Sequence, residues 1–248
     1  MKNYILLSLF LSLFAMQLDA QNKTDFKGFV ECLDSKIYCE SKGSGLCIIM
    51  AHAGYLDSRM WDKQSIFLVE MGSRAAIEFA IEKPEMVKAL ILGSPGINGY
   101  NFNSDKLFRP KLGELLSAYS EQDTMKAVEI FTQSWTDGPY RKPEQVDSNT
   151  RELIQMMILD RYRNHGFRKN AMEIHPQAIK QFKKISKPCL IITAEQDMPS
   201  IIDIAGKLNN GIDGSKWEKF KEGGHMVNME SPEKYNQKIL SFLKEPVD

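Results

Sequence analysis

Residues 65–92 constrain the possible folds more than any other stretch of the chain. A short apolar run at 66–69 is followed by a turn at 70–73 and by a helical pattern over 74–82 that has small residues on one face. The helix is expected to end before Pro84, because the residue that precedes a proline avoids the α region. A second apolar run completes the stretch. Two short strands joined by one helix predict a βαβ unit, whose strands are parallel.

The remaining chain supplies further strands and a separate helical block. Buried strands are predicted at 46–51 and 189–193, a short last strand at 217–220, and a hairpin at 29–33 and 36–40. Between residues 98 and 175 the pattern changes to loop signals and three helical stretches. These helices are predicted at 111–119, 124–135 and 146–162, and a final helix at 233–243. The alternation of buried strands with helices predicts the α/β class, with a mainly parallel sheet and helices on both faces.

Composition bounds the size and the partners of the protein. The 248 residues can bury one good core, as one domain with an insertion or as two small domains. The formal net charge is +0, and 43% of the residues are hydrophobic. We therefore expect no binding of nucleic acid and no attraction to an anionic membrane surface. The sequence predicts no oligomeric state.

Residues 1–20 are typical of a secretory signal peptide. Lys2 provides a charged start, an apolar run covers 4–16, and the small residue Ala20 precedes a polar segment. The apolar run is short for a membrane span. We therefore expect an exported protein, periplasmic or secreted, without a stable membrane span after signal removal. An uncleaved N-terminal anchor is the alternative.

Four cysteines are spread along the chain: Cys32, Cys39, Cys47 and Cys189. Export would permit disulfides. In a hairpin whose two-residue turn is Asp34-Ser35, however, Cys32 would face Ile37 and not Cys39. No CxxC pair, no His/Cys metal spacing and no nucleotide motif is present. We expect four small buried side chains, no metal and no cofactor.

The turn at 70–73 resembles the nucleophile elbow of the α/β-hydrolase family, whose usual pattern is G-x-S-x-G. Residues 72–92, GSRAAIEFAIEKPEMVKALIL, match the family's helix and next strand without a gap. The HAGY segment at 52–55 resembles the loop after the family's third strand, which supplies one oxyanion N–H. The resemblance implies that the backbone donors are Gly54 and Met71, because Met71 follows the nucleophile position.

Two later loops resemble those that carry the acid and the base in the same family. Asp197 follows the strand at 189–193, and His225 follows the strand at 217–220 behind a pair of glycines. The order of position 70, Asp197 and His225 is the family's order of nucleophile, acid and base. In such a triad the histidine takes the proton of the nucleophile, and the aspartate fixes the histidine tautomer.

The nucleophile position departs from the family pattern, because it is occupied by Glu70. Three interpretations stay open. Either no nucleophile remains and Glu70 is a turn residue favoured at a helix N-terminus, or Glu70 is a carboxylate nucleophile, or Ser73 substitutes. A strand–helix unit of about 30 residues that the family has between positions 64 and 65 is also missing. The sequence is therefore also compatible with an internally shortened version of a working enzyme.

The helical block at 98–175 resembles the cap that α/β-hydrolases insert above the sheet. The expected organisation is a signal peptide at 1–20, an α/β core at 21–97 and 176–248, and an inserted helical cap at 98–175. Trp135 and Tyr140 are candidates for lining a substrate pocket in this cap. Packing inside the cap is the alternative for both side chains.

The resemblance implies hydrolysis of an ester, lactone or amide-type bond in a small-molecule substrate, through a covalent intermediate. Because the elbow serine is absent, this activity is expected to be impaired in the present chain. The alternative is a non-catalytic protein of the same fold that binds a small molecule in the capped pocket.

Overall fold

The computed structural model describes residues 26–32, 35–41, 56–61, 71–165 and 175–245. The chain divides into two compact units, Met1–Ile49 and Met50–Asp248, which are taken in turn. The predicted signal peptide and the strands predicted at 46–51 and 66–69 lie outside the described residues.

The first unit contains an antiparallel hairpin of β1, Phe26–Cys32, and β2, Ser35–Ser41. Cys32 pairs with Ser35, so the predicted turn at Asp34-Ser35 is wrong by one residue, and Ile37 pairs with Val30 and not with Cys32. The alternation of apolar and polar residues in the two strands is compatible with either turn. The observed register sets Phe29 opposite Tyr38, with ring centroids 5.3 Å apart, and such cross-strand aromatic pairs stabilise a hairpin.

The second unit is organised on a parallel sheet of three strands in the order β3-β4-β5. The strands are β3, Leu90–Gly93; β4, Cys189–Ala194; and β5, Lys216–Phe220. Every residue of β3 and β4 is buried, because both runs are apolar and β4 lies between two neighbouring strands. The buried Cys189 begins β4, and burial raises the pKa of its thiol to about 12.

Seven α-helices are described in this unit. They are α1, Met71–Glu82; α2, Phe108–Ser120; α3, Thr124–Thr132; α4, Ser148–His165; α5, Pro199–Gly211; α6, Val227–Glu230; and α7, Pro232–Leu243. Helix α1 packs on β3, α5 packs on β4 and β5, and Tyr235 of α7 contacts Phe220 of β5. The predicted α/β class, with a mainly parallel sheet and helices on both faces, is confirmed.

Residues 108–165, which contain α2, α3 and α4 and lie between β3 and β4 in the chain, are called the helical segment below. The helix predicted at 124–135 is interrupted, because α3 continues into a π-helical turn, Gln133–Asp137. Gly138 then ends the turn with φ +74°, a conformation that favours glycine. That residues 98–175 form a separate cap domain stays a prediction.

Across the described ranges, no helix is both long enough and apolar enough to cross a membrane.

Candidate active site

Asp197 and His225 meet at one edge of the sheet. Asp197 lies three residues after β4 and His225 lies five residues after β5, so both follow the carboxyl ends of neighbouring parallel strands. The Nδ1 atom of His225 is 3.0 Å from Oδ1 and 3.1 Å from Oδ2 of Asp197. Both residues are buried, with exposed fractions of 1% for Asp197 and 2% for His225. Burial strengthens this contact, because little water competes for it.

The aspartate is held in place by its own loop. Its Oδ1 also accepts a hydrogen bond from the backbone N–H of Met198 at 2.7 Å, and its own N–H donates to the carbonyl of Ala194. With Nδ1–H donating to the carboxylate, a neutral His225 has Nε2 as its basic nitrogen. The pair can therefore accept a proton at Nε2, with the carboxylate stabilising the imidazolium that forms.

An aromatic side chain from the helical segment lies against the imidazole. The ring centroids of Trp135 and His225 are 4.7 Å apart, and Trp135 is itself buried between Phe108 and Phe131. The predicted pocket residue Trp135 is thus beside the base. The other, Tyr140, has an exposed fraction of 58% and lies at the surface.

Two buried charges fasten the loop of His225 to the helical segment. Arg141 contacts both carboxylate oxygens of Glu230, and the two side chains are only 6% and 9% exposed. Glu230 in turn accepts a hydrogen bond from the backbone N–H of Gly224, which precedes His225. Removing one partner of such a pair costs about 3–5 kcal/mol, because it leaves a buried charge without compensation.

The helical segment also contacts the loop of the acid. A Cβ atom placed on Gly138 would lie only 2.7 Å from the carbonyl oxygen of Gln196, so this close approach requires glycine. A cavity of about 370 Å³ lies beside this contact, between Met198 and polar residues of the helical segment that include Ser134 and Lys142. Its volume is in the range of small-molecule sites.

Of the other predicted site residues, Met71 and Ser73 lie in the first turn of α1. Met71 is the first residue of α1, while Gly54 and Glu70 lie outside the described residues. Ser73, the third candidate for the nucleophile, is fully buried, and its hydroxyl donates a hydrogen bond of 3.2 Å to the carbonyl of Gly93. This contact ties α1 to the end of β3.

Asp105 is a buried carboxylate that the sequence did not reveal. It accepts hydrogen bonds from the N–H groups of Leu107 and Phe108 at the start of α2, and from Ser200 at the start of α5. Burial raises the pKa of the Asp105 carboxyl, but these hydrogen bonds together outweigh burial and hold the pKa below its ordinary value. The residue therefore joins two helix N-termini as an anion.

The missed residues Arg141, Glu230 and Asp105 act through partners far away in the chain. The one local signal was Glu230, which stands a few residues after the candidate base in a loop whose N–H groups need acceptors. Within the described ranges, no group of three or more His, Cys, Asp or Glu side chains could hold a metal ion.

The curated proteins that this chain resembles are hydrolases. No family model matches the chain. The chain is 27% identical over 191 residues to a 2-hydroxy-6-oxononadienedioate/2-hydroxy-6-oxononatrienedioate hydrolase of Klebsiella pneumoniae. That match covers 70% of this chain and 59% of the relative, so the chain spans about three-fifths of the length of the curated relatives it matches.

Solved structures identify the fold. An esterase from Exiguobacterium antarcticum superposes with a TM-score of 0.69 at 17% identity, covering 89% of this chain and 100% of the esterase. An enol-lactonase from Burkholderia xenovorans has a TM-score of 0.59 at 12% identity, with 80% and 91% of the two chains covered. The chain therefore has the α/β-hydrolase fold, and its curated relatives are hydrolases.

Proposed function

We propose that the protein is a hydrolase of small-molecule esters or lactones, with Asp197 as the acid and His225 as the base. The buried hydrogen bond between these two side chains carries the proposal, because it holds an imidazole at the sheet edge in the tautomer that a general base needs. The hydrolase relatives and the superposed esterase and enol-lactonase support the same class of reaction.

In this proposal His225 takes a proton through Nε2 from the water or hydroxyl that attacks the ester carbonyl, and Asp197 stabilises the charged ring. Trp135 covers part of the imidazole and keeps water away from it. The N–H groups of Gly54 and Met71 are the proposed donors to the oxyanion. Because position 70 carries glutamate in place of serine, we propose that acyl transfer is slow in this chain.

Turnover of p-nitrophenyl acetate tests the role of the base. We expect His225→Ala to lower the rate by at least about 100-fold, because general base catalysis contributes that much or more. Asp197→Asn should also lower it, since an amide cannot stabilise the imidazolium. Initial rates at several enzyme concentrations measure both effects.

His175→Ala is the matched control, because His175 is exposed and lies elsewhere in the chain. It should hydrolyse the ester like the unchanged protein. A folded His225→Ala variant with undiminished turnover would show that the hydrolysis does not depend on this pair.

A non-catalytic binding protein is the second candidate, and the glutamate at position 70 together with the cavity beside Met198 favours it. It predicts thermal stabilisation by some esters or lactones without turnover, and equal binding by His225→Ala. Turnover that depends on His225 would exclude this candidate.

We also propose that the protein is exported and that residues 1–20 are removed. The charged start and the short apolar run support this. Fractionation of the producing cells and N-terminal sequencing test it, and the expected new N-terminus is near Gln21. A protein that stays in the cytoplasm with its first residues intact would contradict it.

A further inference from the structure

The loop that carries His225 is closed on itself by one carboxylate. Glu230 ends the short helix α6, and its Oε1 accepts the backbone N–H of Gly224 at 2.8 Å. This hydrogen bond fixes the peptide between Gly223 and Gly224, which lies one peptide before the residue that carries the imidazole. Gly223 has φ +96°, which lets the chain turn into the loop.

Arg141 in turn fixes that carboxylate to the helical segment. Its guanidinium contacts both oxygens of Glu230 and donates to the carbonyls of Thr136 at 2.6 Å and Asp137 at 2.9 Å. A guanidinium is rigid and planar, so using its donors on both sides leaves little freedom for either segment. The contact is shielded from water, as the low exposure of both charged side chains shows.

The backbone of the His225 loop packs closely against the guanidinium of Arg141. A Cβ atom on Gly224 would overlap Nη2 of Arg141 and would lie 3.1 Å from the carbonyl oxygen of Thr136. Gly224 does not have a positive φ, so its lack of a side chain, and not its backbone conformation, permits the contact. Any larger residue would separate the loop from Arg141.

We propose that Arg141 is a positioning residue for the base: through Glu230 and Gly224 it holds His225 in hydrogen-bonding position against Asp197. The importance of Arg141 for catalysis rests on the proposed hydrolase function, whereas the effect of Arg141 on the His225–Asp197 contact does not. The same part of the helical segment also contacts the imidazole directly through Trp135. The helical segment therefore holds the base both by a ring contact and through the loop.

The test compares Arg141→Met with Arg151→Met in the full chain. Arg151 is also a largely buried arginine of the helical segment, but its carboxylate partners, Glu129 and Asp137, lie within that segment. The first readout is the low-field proton resonance of the hydrogen-bonded Nδ1–H of His225, identified by its loss in His225→Ala. The second is kcat and KM for p-nitrophenyl acetate.

We expect Arg141→Met to broaden or abolish the Nδ1 resonance, because a loosened loop exposes the proton to exchange with water. It should also lower kcat by between about 10- and 100-fold, since it displaces the base. Arg151→Met should retain the resonance and kcat. Circular dichroism is the control that each variant is folded.

Two further variants keep the test decisive if Arg141→Met does not fold. Glu230→Gln preserves size and an acceptor for Gly224 but loses the charge that holds Arg141, so the resonance should broaden. Gly224→Ala adds one methyl group against Arg141 and should have the same effect. Where Arg141→Met does fold, the double variant Gly224→Ala/Arg141→Met should be no worse than the poorer single one, because both changes break the same contact.

The outcomes separate the positioning role from the proposed function. An unchanged Nδ1 resonance in folded Arg141→Met, or an equal loss in Arg151→Met, overturns the positioning role. No turnover by the unchanged protein, with the resonance lost only when the contacts of Arg141 are broken, supports the positioning role and contradicts the proposed hydrolase.

Discussion

The helices α1 and α5 begin next to the two positions at which carboxylates were predicted to take part in chemistry, and their first turns differ. Helix α5 begins at Pro199, two residues after Asp197. Its N-terminal N–H groups do not depend on Asp197 alone, because Asp105 from another part of the chain accepts the N–H of Ser200. The carboxylate of Asp197 is thereby available to His225.

Helix α1 begins at Met71, directly after position 70. The hydroxyl in its first turn, that of Ser73, is used to hold the carbonyl of Gly93 at the end of β3. A glutamate before a helix N-terminus stabilises the helix dipole without any chemistry. The difference is that a carboxylate from elsewhere in the chain, Asp105, serves the start of α5, whereas the side chain of Ser73 in the first turn of α1 bonds to the end of β3.

Replacing Glu70 has the largest expected effect and tests whether the start of α1 is a nucleophile elbow that lacks only its hydroxyl. If position 70 differs from a working elbow only by its side chain, Glu70→Ser should raise turnover of p-nitrophenyl acetate by about 100-fold or more, since a hydroxyl activated by a general base supplies at least that much. A fluorophosphonate should also label the same variant, at the hydroxyl introduced at position 70. Initial rates and mass spectrometry of the labelled peptide measure both.

The control is Glu70→Gln, which removes the charge but adds no nucleophile and should leave the rate low. If a folded Glu70→Ser gains neither rate nor label, the start of α1 is not a nucleophile elbow. A large loss of rate in Glu70→Gln would instead identify Glu70 itself as the nucleophile.

Much of the fold was predictable because the signals are local. The sheet strands β3 and β4 are continuous apolar runs, and the resemblance of two later loops to the family's acid and base loops predicted that Asp197 and His225 would meet. The hairpin register was wrong because a turn shifted by one residue preserves the same alternation. Its deciding contact, Phe29 with Tyr38, depends on which residues pair across the strands.

The contacts that hold the loops of the candidate site in place were not predictable from local patterns. Arg141 and Glu230 are 89 positions apart, and Asp105 and Ser200 are 95 positions apart. Each of these charges reads as an ordinary surface residue in the sequence, because nothing near it in the chain indicates burial. Only the packing of the helical segment against the loops after β4 and β5 turns them into buried contacts.

Asp105→Asn tests how much Asp105 stabilises the start of α5. Asp105 uses both oxygens as acceptors, whereas asparagine has one oxygen and would turn an N–H₂ group towards a backbone donor. We expect a loss of about 1–3 kcal/mol in the free energy of unfolding at pH 7, the cost of leaving a buried donor unsatisfied. Urea unfolding of the two proteins measures the difference.

The difference in the free energy of unfolding between the unchanged protein and Asp105→Asn should depend on pH. The pKa of Asp105 is lowered in the folded state, so its stabilisation is fully present above the unfolded pKa of about 3.9 and is lost as the pH falls through the folded pKa. The gap between the two proteins should therefore narrow in acid. Asp123→Asn is the control, because Asp123 caps α3 through one oxygen that asparagine retains. A gap that widens in acid would contradict the role of Asp105 as an anionic cap.

Ser73→Ala tests the α1 side and has the smallest expected effect. Removing the hydroxyl leaves the carbonyl of Gly93 without this donor, so we expect a loss of about 1 kcal/mol in the free energy of unfolding. Ser134→Ala, whose hydroxyl bonds only to a carbonyl one helical turn back, should lose less. Thermal and urea unfolding measure both variants.

Turnover measurements on Ser73→Ala also test whether Ser73 is the nucleophile. Because the hydroxyl is committed to Gly93 and is fully buried, its removal should leave ester hydrolysis and fluorophosphonate labelling unchanged, both in the natural sequence and beside Glu70→Ser. A loss of both signals in a folded Ser73→Ala would make Ser73 the nucleophile. The start of α1 would then differ from that of α5 in one further respect, because the reacting side chain would lie inside the first turn of the helix, whereas Asp197 lies before α5.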